Sequence, residues 1–297
     1  MIALRTNKRI KISSARPSTS FTVPTWLLLG LTIVFPLIYG IYLSFLNVNL
    51  GSFLPTQFIG FENYRLAFKA SETYSTFITT LQLMFVGIGL QIPLGIALAI
   101  VLHQSLKGSR FFRSVLIVPM LLTPVAVGLI FRFMFDTDIG IINWTISQFG
   151  AEGVNWLGSR NTALLAVIIV DSWQSVPFVM LLMLAALAGI PTSIYEAAIV
   201  DGANKVQIFF RITLPFIIPT LLVLTMIKIM DFLKLFDTLF ILTRGGPGNE
   251  TTTLGLWTYK TGFIFLEMSR AAALGVIIVV ITMPVYILWR RASKSVR

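Results

Sequence analysis

Apolar residues follow one another in long runs along this chain, with few polar positions inside them. A helix rises about 1.5 Å per residue, so about 20 residues cross a hydrocarbon core of about 30 Å. Six runs are long enough to do so, and they cover residues 24–46, 77–102, 114–135, 162–190, 214–236 and 271–289. This pattern predicts an all-α membrane protein with six transmembrane helices.

Composition indicates lipid rather than water as the main solvent. Of the 297 residues, 12% are charged and 56% are hydrophobic, whereas a soluble domain carries about 25% charged residues. The net charge of +11 could indicate nucleic-acid binding, but the basic residues cluster at the chain ends and beside the apolar runs. They form no basic groove with interleaved aromatic residues. We therefore expect contact with membrane lipid and no nucleic-acid partner.

The distribution of Lys and Arg predicts the orientation of the chain. With the N-terminus inside, fourteen of these residues fall in cytoplasmic segments and six in outer ones. An excess of positive charge marks the cytoplasmic side, so we place both termini there, with residues 1–20 as a basic cytoplasmic tail. The first apolar run exceeds the roughly 7–15 residues of a signal-peptide core, and we interpret it as a retained first helix.

The segment between the fourth and fifth runs, residues 191–214, has too regular a pattern for a passive connector. Ser193 and Glu196 have the spacing of a capping box, and apolar residues then recur at helical spacing on both sides of Gly202. Pro215 suits the first turn of the next span. We predict a short helix, a turn and a second short helix; a surface-lying amphipathic helix without a partner is the alternative.

Residues in and after this segment form a motif defined by both type and spacing: Glu196, Ala197, Ala198, Gly202, Ile212, Leu214 and Pro215. In both respects the motif resembles the hallmark of permease subunits of binding-protein-dependent ATP-binding-cassette (ABC) importers. The resemblance implies that the segment is a cytoplasmic coupling loop, which docks onto a separate ATPase subunit and moves the transmembrane helices between inward-open and outward-open states. The docking residues that it implies are Glu196, Ala197, Ala198, Asp201 and Gly202.

A second stretch resembles the carbohydrate-uptake branch of the same family. It includes Phe236-Asp237 and residues 242–248, which read Leu-Thr-Arg-Gly-Gly-Pro-Gly. The resemblance implies an ABC transmembrane domain over residues 21–297 and a path for a sugar or polyol across the bacterial cytoplasmic membrane. It also implies three kinds of protein partner: a homologous permease subunit, expected to form a heterodimer, two ABC ATPase subunits, and an extracytoplasmic solute-binding protein.

The sequence predicts neither catalysis nor a metal site. It contains no Gly-x-x-x-x-Gly-Lys-Ser/Thr phosphate loop, and the glycine cluster at residues 245–248 lacks the lysine that such a loop needs. We expect this cluster to form an outer-surface turn, and ATP to bind to the separate subunits. With no cysteine and a single histidine, His103, the chain cannot build a thiolate or imidazole metal site. We therefore predict a non-enzyme without catalytic residues or cofactors.

Charged residues inside the apolar runs are candidates for the translocation path, because an ionisable group in lipid is costly unless it is paired or faces water. Asp171 in the fourth run and Lys228 in the fifth lie at similar predicted depth. They could pair or line the path together, and a purely structural ion pair is the alternative. We expect nearby aromatic and amide side chains to stack on and hydrogen-bond a polyol. The predicted path residues are Asp171, Trp173, Gln174, Lys228 and Asp231.

Two other classes of protein stay open at the level of sequence. A secondary transporter or channel driven by an ion gradient would need no coupling loop, and a membrane-anchored structural protein would be expected to carry a soluble domain. The solute is equally open within the resembled branch: mono-, di- and oligosaccharides, polyols and glycerol phosphodiesters are all compatible with it.

Overall fold

The computed structural model describes residues 19–52, 55–104 and 108–295, and helices account for most of them. The predicted basic tail, residues 1–20, lies outside the described residues apart from its last two. The helices are α1 (Thr22–Leu43), α2 (Glu62–Lys69), α3 (Ser71–His103), α4 (Ser109–Leu121), α5 (Pro124–Met134), α6 (Ile141–Gln148), α7 (Arg160–Ala188), α8 (Thr192–Val200), α9 (Lys205–Ile208), α10 (Leu214–Leu233), α11 (Asp237–Leu242), α12 (Leu254–Tyr259) and α13 (Met268–Ser295).

Five segments are long and apolar enough to cross a membrane. They are α1, α3, α7, the segment Lys205–Leu242 that contains α9 to α11, and Met268–Ile287 within α13. These segments confirm five of the six predicted spans. The start of α3 was predicted too late, because the helix begins at Ser71 rather than at residue 77. Its first turns are polar, so an apolar run alone could not indicate them.

The third predicted span, residues 114–135, is not one straight helix. Two helices, α4 and α5, replace it and are bent by 97° relative to each other. Leu122 and Thr123, between them, have extended backbone angles. Pro124 explains the break, because proline has no N–H to donate and disfavours helical angles in the residue before it. Counted as one broken span, the pair brings the total to six.

The core lies between α3, α7 and α10. One cluster of buried side chains extends from these helices to α5 and α11, and it includes Leu83, Val127, Val170, Phe232 and Leu239. A second cluster lies nearer the coupling loop and includes Ala99, Met180, Met183, Ile217 and Leu224. By contrast, no residue in the apolar window of α1 is buried, so this helix presents its apolar surface to lipid or to another helix.

Candidate functional site

The coupling loop begins with α8, which ends in a Schellman motif. The Gly202 N–H donates to the Ile199 carbonyl at 3.0 Å, and the Ala203 N–H donates to the Ala198 carbonyl at 2.9 Å. Gly202 has φ = +77°, a left-handed conformation that favours glycine. The turn at Gly202 therefore satisfies the last carbonyls of α8 and requires a glycine for its backbone angles.

A capping box begins the second helix of the coupling loop. The Asn204 side-chain oxygen accepts from the Gln207 N–H at 2.9 Å, while the Asn204 N–H donates to the Gln207 side chain at 2.9 Å. The capping box predicted at Ser193 and Glu196 is absent, since Pro191 occupies the N-cap of α8 without a side-chain hydrogen bond. Proline fixes the backbone before the helix, which places Ser193 inside the first turn rather than before it.

The predicted docking residues lie together at the surface of the coupling loop. Glu196, Ala197, Asp201 and Gly202 are exposed, and Ala198 is half-buried. Two apolar neighbours on the same loop are also exposed, Ile199 at 64% and Val200 at 86%. These two side chains are apolar surface that a partner or lipid could cover.

The inner face of the coupling loop is tied to the start of α10. The Tyr195 hydroxyl lies 3.2 Å from the hydroxyl of Thr213, a buried residue at the N-cap of α10. A cavity of about 320 Å³ lies beside this contact, and its lining includes Tyr195, Lys205 and the single histidine, His103. A displacement of α8 would therefore act directly on the first turn of a membrane-spanning helix.

Polar side chains from three helices meet within the apolar core. We call them the mid-membrane polar cluster: Gln91 of α3, Asp171, Ser172 and Ser175 of α7, and Lys228 of α10. The Gln91 amide nitrogen donates to the Asp171 carboxylate at 2.6 Å. The Lys228 ammonium, which is 3% exposed, donates to the Ser175 hydroxyl at 2.9 Å.

The direct Asp171–Lys228 ion pair, one of the two arrangements expected from the sequence, is not formed in the described part of the chain. Lys228 instead forms an ion pair with Asp231 at 3.9 Å, and Asp231 also contacts Lys234 at 3.2 Å. The Gln91 amide thus binds Asp171, and the Ser175 hydroxyl binds Lys228. These are the two charged residues that the sequence predicts at similar depth.

The remaining predicted path residues lie on different faces of α7. Successive helical residues turn by about 100°, so Trp173 lies about 200° from Asp171, on the opposite side of the helix. There it packs edge-on against Phe131, with 5.2 Å between ring centroids, and lines an apolar cavity of about 340 Å³. The Gln174 amide donates to the Leu122 carbonyl at 2.8 Å. The structure therefore does not bring Trp173 together with Asp171, although Ser172 of the mid-membrane polar cluster lines the same cavity.

Sequence reasoning missed three members of this cluster: Gln91, Ser172 and Ser175. The sequence did contain an indication that Gln91 is unusual. It is the one amide residue between residues 83 and 102, inside an apolar run, and polar groups in a membrane span are candidates for function. Ser175 follows Asp171 by four residues and therefore shares its helical face. Serine is common in membrane helices, so this spacing alone did not distinguish it.

The glycine cluster at residues 245–248 forms a turn that is held by threonine hydroxyls. The Thr251 hydroxyl donates to the Gly246 carbonyl at 2.7 Å, and Thr252 and Thr253 beside it are fully buried. The Lys260 ammonium donates to the Asn249 side chain at 2.8 Å, and burial lowers the pKa of Lys260. Across the described ranges, no three His, Cys, Asp or Glu side chains come together as a metal site would require.

Comparison with known proteins identifies the family. The family model described as binding-protein-dependent transport system inner membrane component matches residues 91–297. A probable ABC transporter permease protein of Sinorhizobium fredii is 36% identical over 294 residues, which cover 97% of this chain and 93% of the relative. The sulfoquinovosyl glycerol transport system permease protein of Agrobacterium fabrum is 34% identical over 272 residues, with 92% and 88% covered.

The fold has a counterpart among solved structures. A chain of the bacterial alginate ABC transporter, in complex with its alginate pentasaccharide-bound periplasmic protein, matches with a TM-score of 0.82 at 23% identity, and 94% of each chain is covered. The sequence motif, the apolar spans and these matches agree. The chain belongs to the family of binding-protein-dependent transport system inner membrane components, the membrane-spanning permease subunits of ABC transporters.

Proposed function

We propose that the chain forms, with a homologous permease subunit in a heterodimer, the translocation path of an ATP-driven importer for a sugar or sugar-like solute. The coupling loop is the observation that carries this proposal, because four of its five predicted docking residues are exposed between two membrane-spanning segments. Two similar proteins whose names include sugars support the solute class: the sulfoquinovosyl glycerol permease protein and the alginate transporter.

The coupling loop has the properties of a docking element for a separate ATPase subunit. The small side chains of Ala197 and Ala198 allow close approach, while Val200 offers an apolar contact that a partner would cover. The Schellman turn at Gly202 fixes the end of α8, and the hydrogen bond between the Tyr195 and Thr213 hydroxyls holds α8 against the start of α10. Two ATPase subunits, one on each permease, would then move the transmembrane helices by pushing on these loops.

The solute path would use the charged and amide residues of α7 and α10. Asp171, Gln174, Lys228 and Asp231 provide hydrogen-bond donors and acceptors within apolar helices, and such groups in a membrane protein face a path or a partner. Trp173, on the opposite face of α7, is 40% exposed and offers an aromatic surface on which a sugar ring could stack. In this arrangement the second permease completes the path on the side that this chain leaves open.

The same proposal assigns the two sides of the membrane. The coupling loop and both termini would lie in the cytoplasm, where ATP is available, as the distribution of Lys and Arg predicts. The turn at residues 243–253 would then face outward, where an extracytoplasmic solute-binding protein delivers the sugar. ATP would bind to the ATPase subunits and not to this chain.

The test substitutes the coupling loop and follows two properties of the complex. Glu196→Ala and Gly202→Ala are expected to abolish both co-purification of the ATPase and uptake of radiolabelled sugar. A panel of maltose, trehalose, sulfoquinovosyl glycerol and alginate oligosaccharide would cover neutral disaccharides, a glycerol glycoside and an acidic oligosaccharide. Any sugar of this panel that the wild-type complex takes up is then used to measure uptake by the variants.

Two substitutions provide matched controls. Glu152→Ala removes an exposed carboxylate from a segment predicted to lie outside. Gly150→Ala places alanine at φ = +75°, so it introduces the same backbone strain as Gly202→Ala but far from the coupling loop. Both controls should retain the ATPase and uptake. Uptake that persists after the ATPase is lost would instead favour a transporter driven by an ion gradient.

A further inference from the structure

Gln91 lies on a face of α3 where the helix approaches its neighbours closely. One turn before it, a Cβ on Gly87 would come within 2.2 Å of the Phe232 ring of α10. One turn after it, a Cβ on Gly95 would come within 2.3 Å of the Val179 side chain of α7. Small residues at these spacings allow membrane helices to pack tightly, and Gln91 is the large polar side chain between them.

The nitrogen and the oxygen of the Gln91 side-chain amide differ in their hydrogen bonding. Its amide nitrogen donates to Asp171 at 2.6 Å and lies 3.4 Å from the Ser172 hydroxyl. Its amide oxygen is buried and has no hydrogen-bond partner within the residues that the structure describes. A buried carbonyl without a partner lowers stability, and an unbranched apolar side chain would fill the space without this penalty. The donor end, directed at Asp171, is therefore what makes glutamine useful here.

The Lys228 ammonium is a potential partner of Asp171 that Asp171 does not contact. This ammonium binds Ser175 instead, which lies one turn further along α7, about 6 Å along the helix axis. The flexible lysine side chain could bind either this hydroxyl or the carboxylate one turn away. A direct ion pair would turn an N–H of the ammonium and an oxygen of the carboxylate toward each other and away from other partners. Instead, the Gln91 amide on α3 donates a hydrogen bond to the Asp171 carboxylate.

We propose that Gln91 is a positioning residue of the translocation path. Its amide holds the Asp171 carboxylate in place and prevents it from closing onto the Lys228 ammonium. The carboxylate and the ammonium then remain separately able to hydrogen-bond the hydroxyl groups of a passing sugar. This inference rests on the proposed function, in which Asp171 and Lys228 line the path.

Transport kinetics of the assembled complex test this role with Gln91→Leu and Gln91→Met. The sugar is whichever member of the maltose, trehalose, sulfoquinovosyl glycerol and alginate panel the wild-type complex imports. Both variants should raise KM by about tenfold, the loss expected for one hydrogen bond to a charged group. Their unfolding temperature should fall, because Asp171 loses its hydrogen bond from Gln91, and removal of the unpartnered amide oxygen should offset part of this loss. A merely structural role would lower the unfolding temperature and leave KM unchanged, so KM is the deciding measurement.

A double substitution tests whether Gln91 acts through Asp171. In the Asp171→Asn background, Gln91→Leu should change KM by less than about twofold, since the carboxylate that it positions is absent. Gln82→Leu is the matched control, because Gln82 lies on the same helix but is exposed and binds Arg160 outside the cluster. This control should retain the wild-type KM. Equal effects of Gln91→Leu with and without Asp171 would overturn the proposal.

Infrared spectroscopy tests the contact without any transported sugar. Isotope-labelled aspartate, with Asp171→Asn for subtraction, isolates the Asp171 carboxyl band. Gln91→Leu and Gln91→Met should both shift this band, and Gln82→Leu should not. An unshifted band would overturn the proposal. If the wild-type complex imports no sugar, the proposed function fails, whereas the band still decides whether Gln91 holds Asp171.

Discussion

Gly95 of α3 and Val179 of α7 lie so close that a Cβ on the glycine would come within 2.3 Å of the valine Cγ1. The next nearest atoms include the Met180 backbone nitrogen at 3.1 Å, so the contact joins the helix backbones and not only the side chains. In a bilayer, helices associate through such close packing because lipid supplies no hydrophobic force between them. This contact also keeps α3 near enough to α7 for Gln91 to reach Asp171.

Gly95→Ala should therefore destabilise the permease. The added methyl group must displace Val179 and the backbone behind it, and overpacking of this kind costs about 1–3 kcal/mol. Thermal unfolding of the purified complex in detergent measures the loss. Gly89→Ala is the matched control on the same helix, because its Cβ would meet nothing within 4 Å; its stability should be unchanged or higher by up to about 1 kcal/mol. Equal stability of the two variants would contradict the close approach.

The spans were predictable because a bilayer requires long apolar helices, and this requirement is visible in sequence. The turn at Gly202 was predictable for a similar reason, since a left-handed residue after a helix favours glycine. The 97° bend between α4 and α5 was not predictable from the sequence. Pro124 is compatible with a break, but the angle depends on contacts such as that of Gln174 with Leu122, which lies 52 residues away in the chain.

The candidate site was only partly predictable for the same physical reason. Burial cost identifies Asp171 and Lys228 as unusual from sequence alone. Their partners depend on the rotation of α3, α7 and α10 about their axes, and a neutral amide or hydroxyl carries no comparable signal. Gln91, Ser172 and Ser175 were therefore missed, and the opposite placement of Trp173 could be seen only once the face of α7 was known.

Ser175→Ala should destabilise the complex because it removes the acceptor of a buried ammonium. Lys228 donates to Ser175 at 2.9 Å and is 3% exposed, so loss of the hydroxyl leaves a buried donor short of a partner. The expected loss is about 1–3 kcal/mol, measured as a lower unfolding temperature. Ser114→Ala is the control, since that exposed hydroxyl bonds only the carbonyl of Arg110 one turn before it. An equally small effect of both substitutions would show that Lys228 finds another acceptor.

Gln174→Leu should loosen the break between α4 and α5. The Gln174 amide is bonded to the Leu122 carbonyl, which lies where helical hydrogen bonding stops, and an unpaired carbonyl there costs about 1–3 kcal/mol. We expect faster hydrogen–deuterium exchange in the residues that follow the break, within the first turns of α5. Gln148→Leu, at an exposed helix end, should leave that exchange unchanged. Exchange that is equal in both variants would mean that Pro124 alone maintains the bend.

Asp136 gives the fold a pH dependence whose sign can be derived. Its side-chain oxygen accepts from the Asp138 and Ile139 N–H groups at 3.0 and 3.1 Å, and these bonds hold the pKa of Asp136 below its ordinary value. A carboxyl with a depressed folded pKa stabilises the protein above its unfolded pKa of about 4, and this contribution is lost as pH falls through the folded pKa.

Asp136→Asn isolates this contribution, because the asparagine side-chain oxygen can still accept both hydrogen bonds but cannot be protonated in this range. Unfolding temperatures of the wild type and the variant should therefore differ above about pH 5 and converge as the pH falls below about 4. Asp138→Asn, two residues away at an exposed position, should follow the wild-type curve. Parallel curves for the wild type and Asp136→Asn would show that the turn after α5 does not depend on an ionised carboxylate.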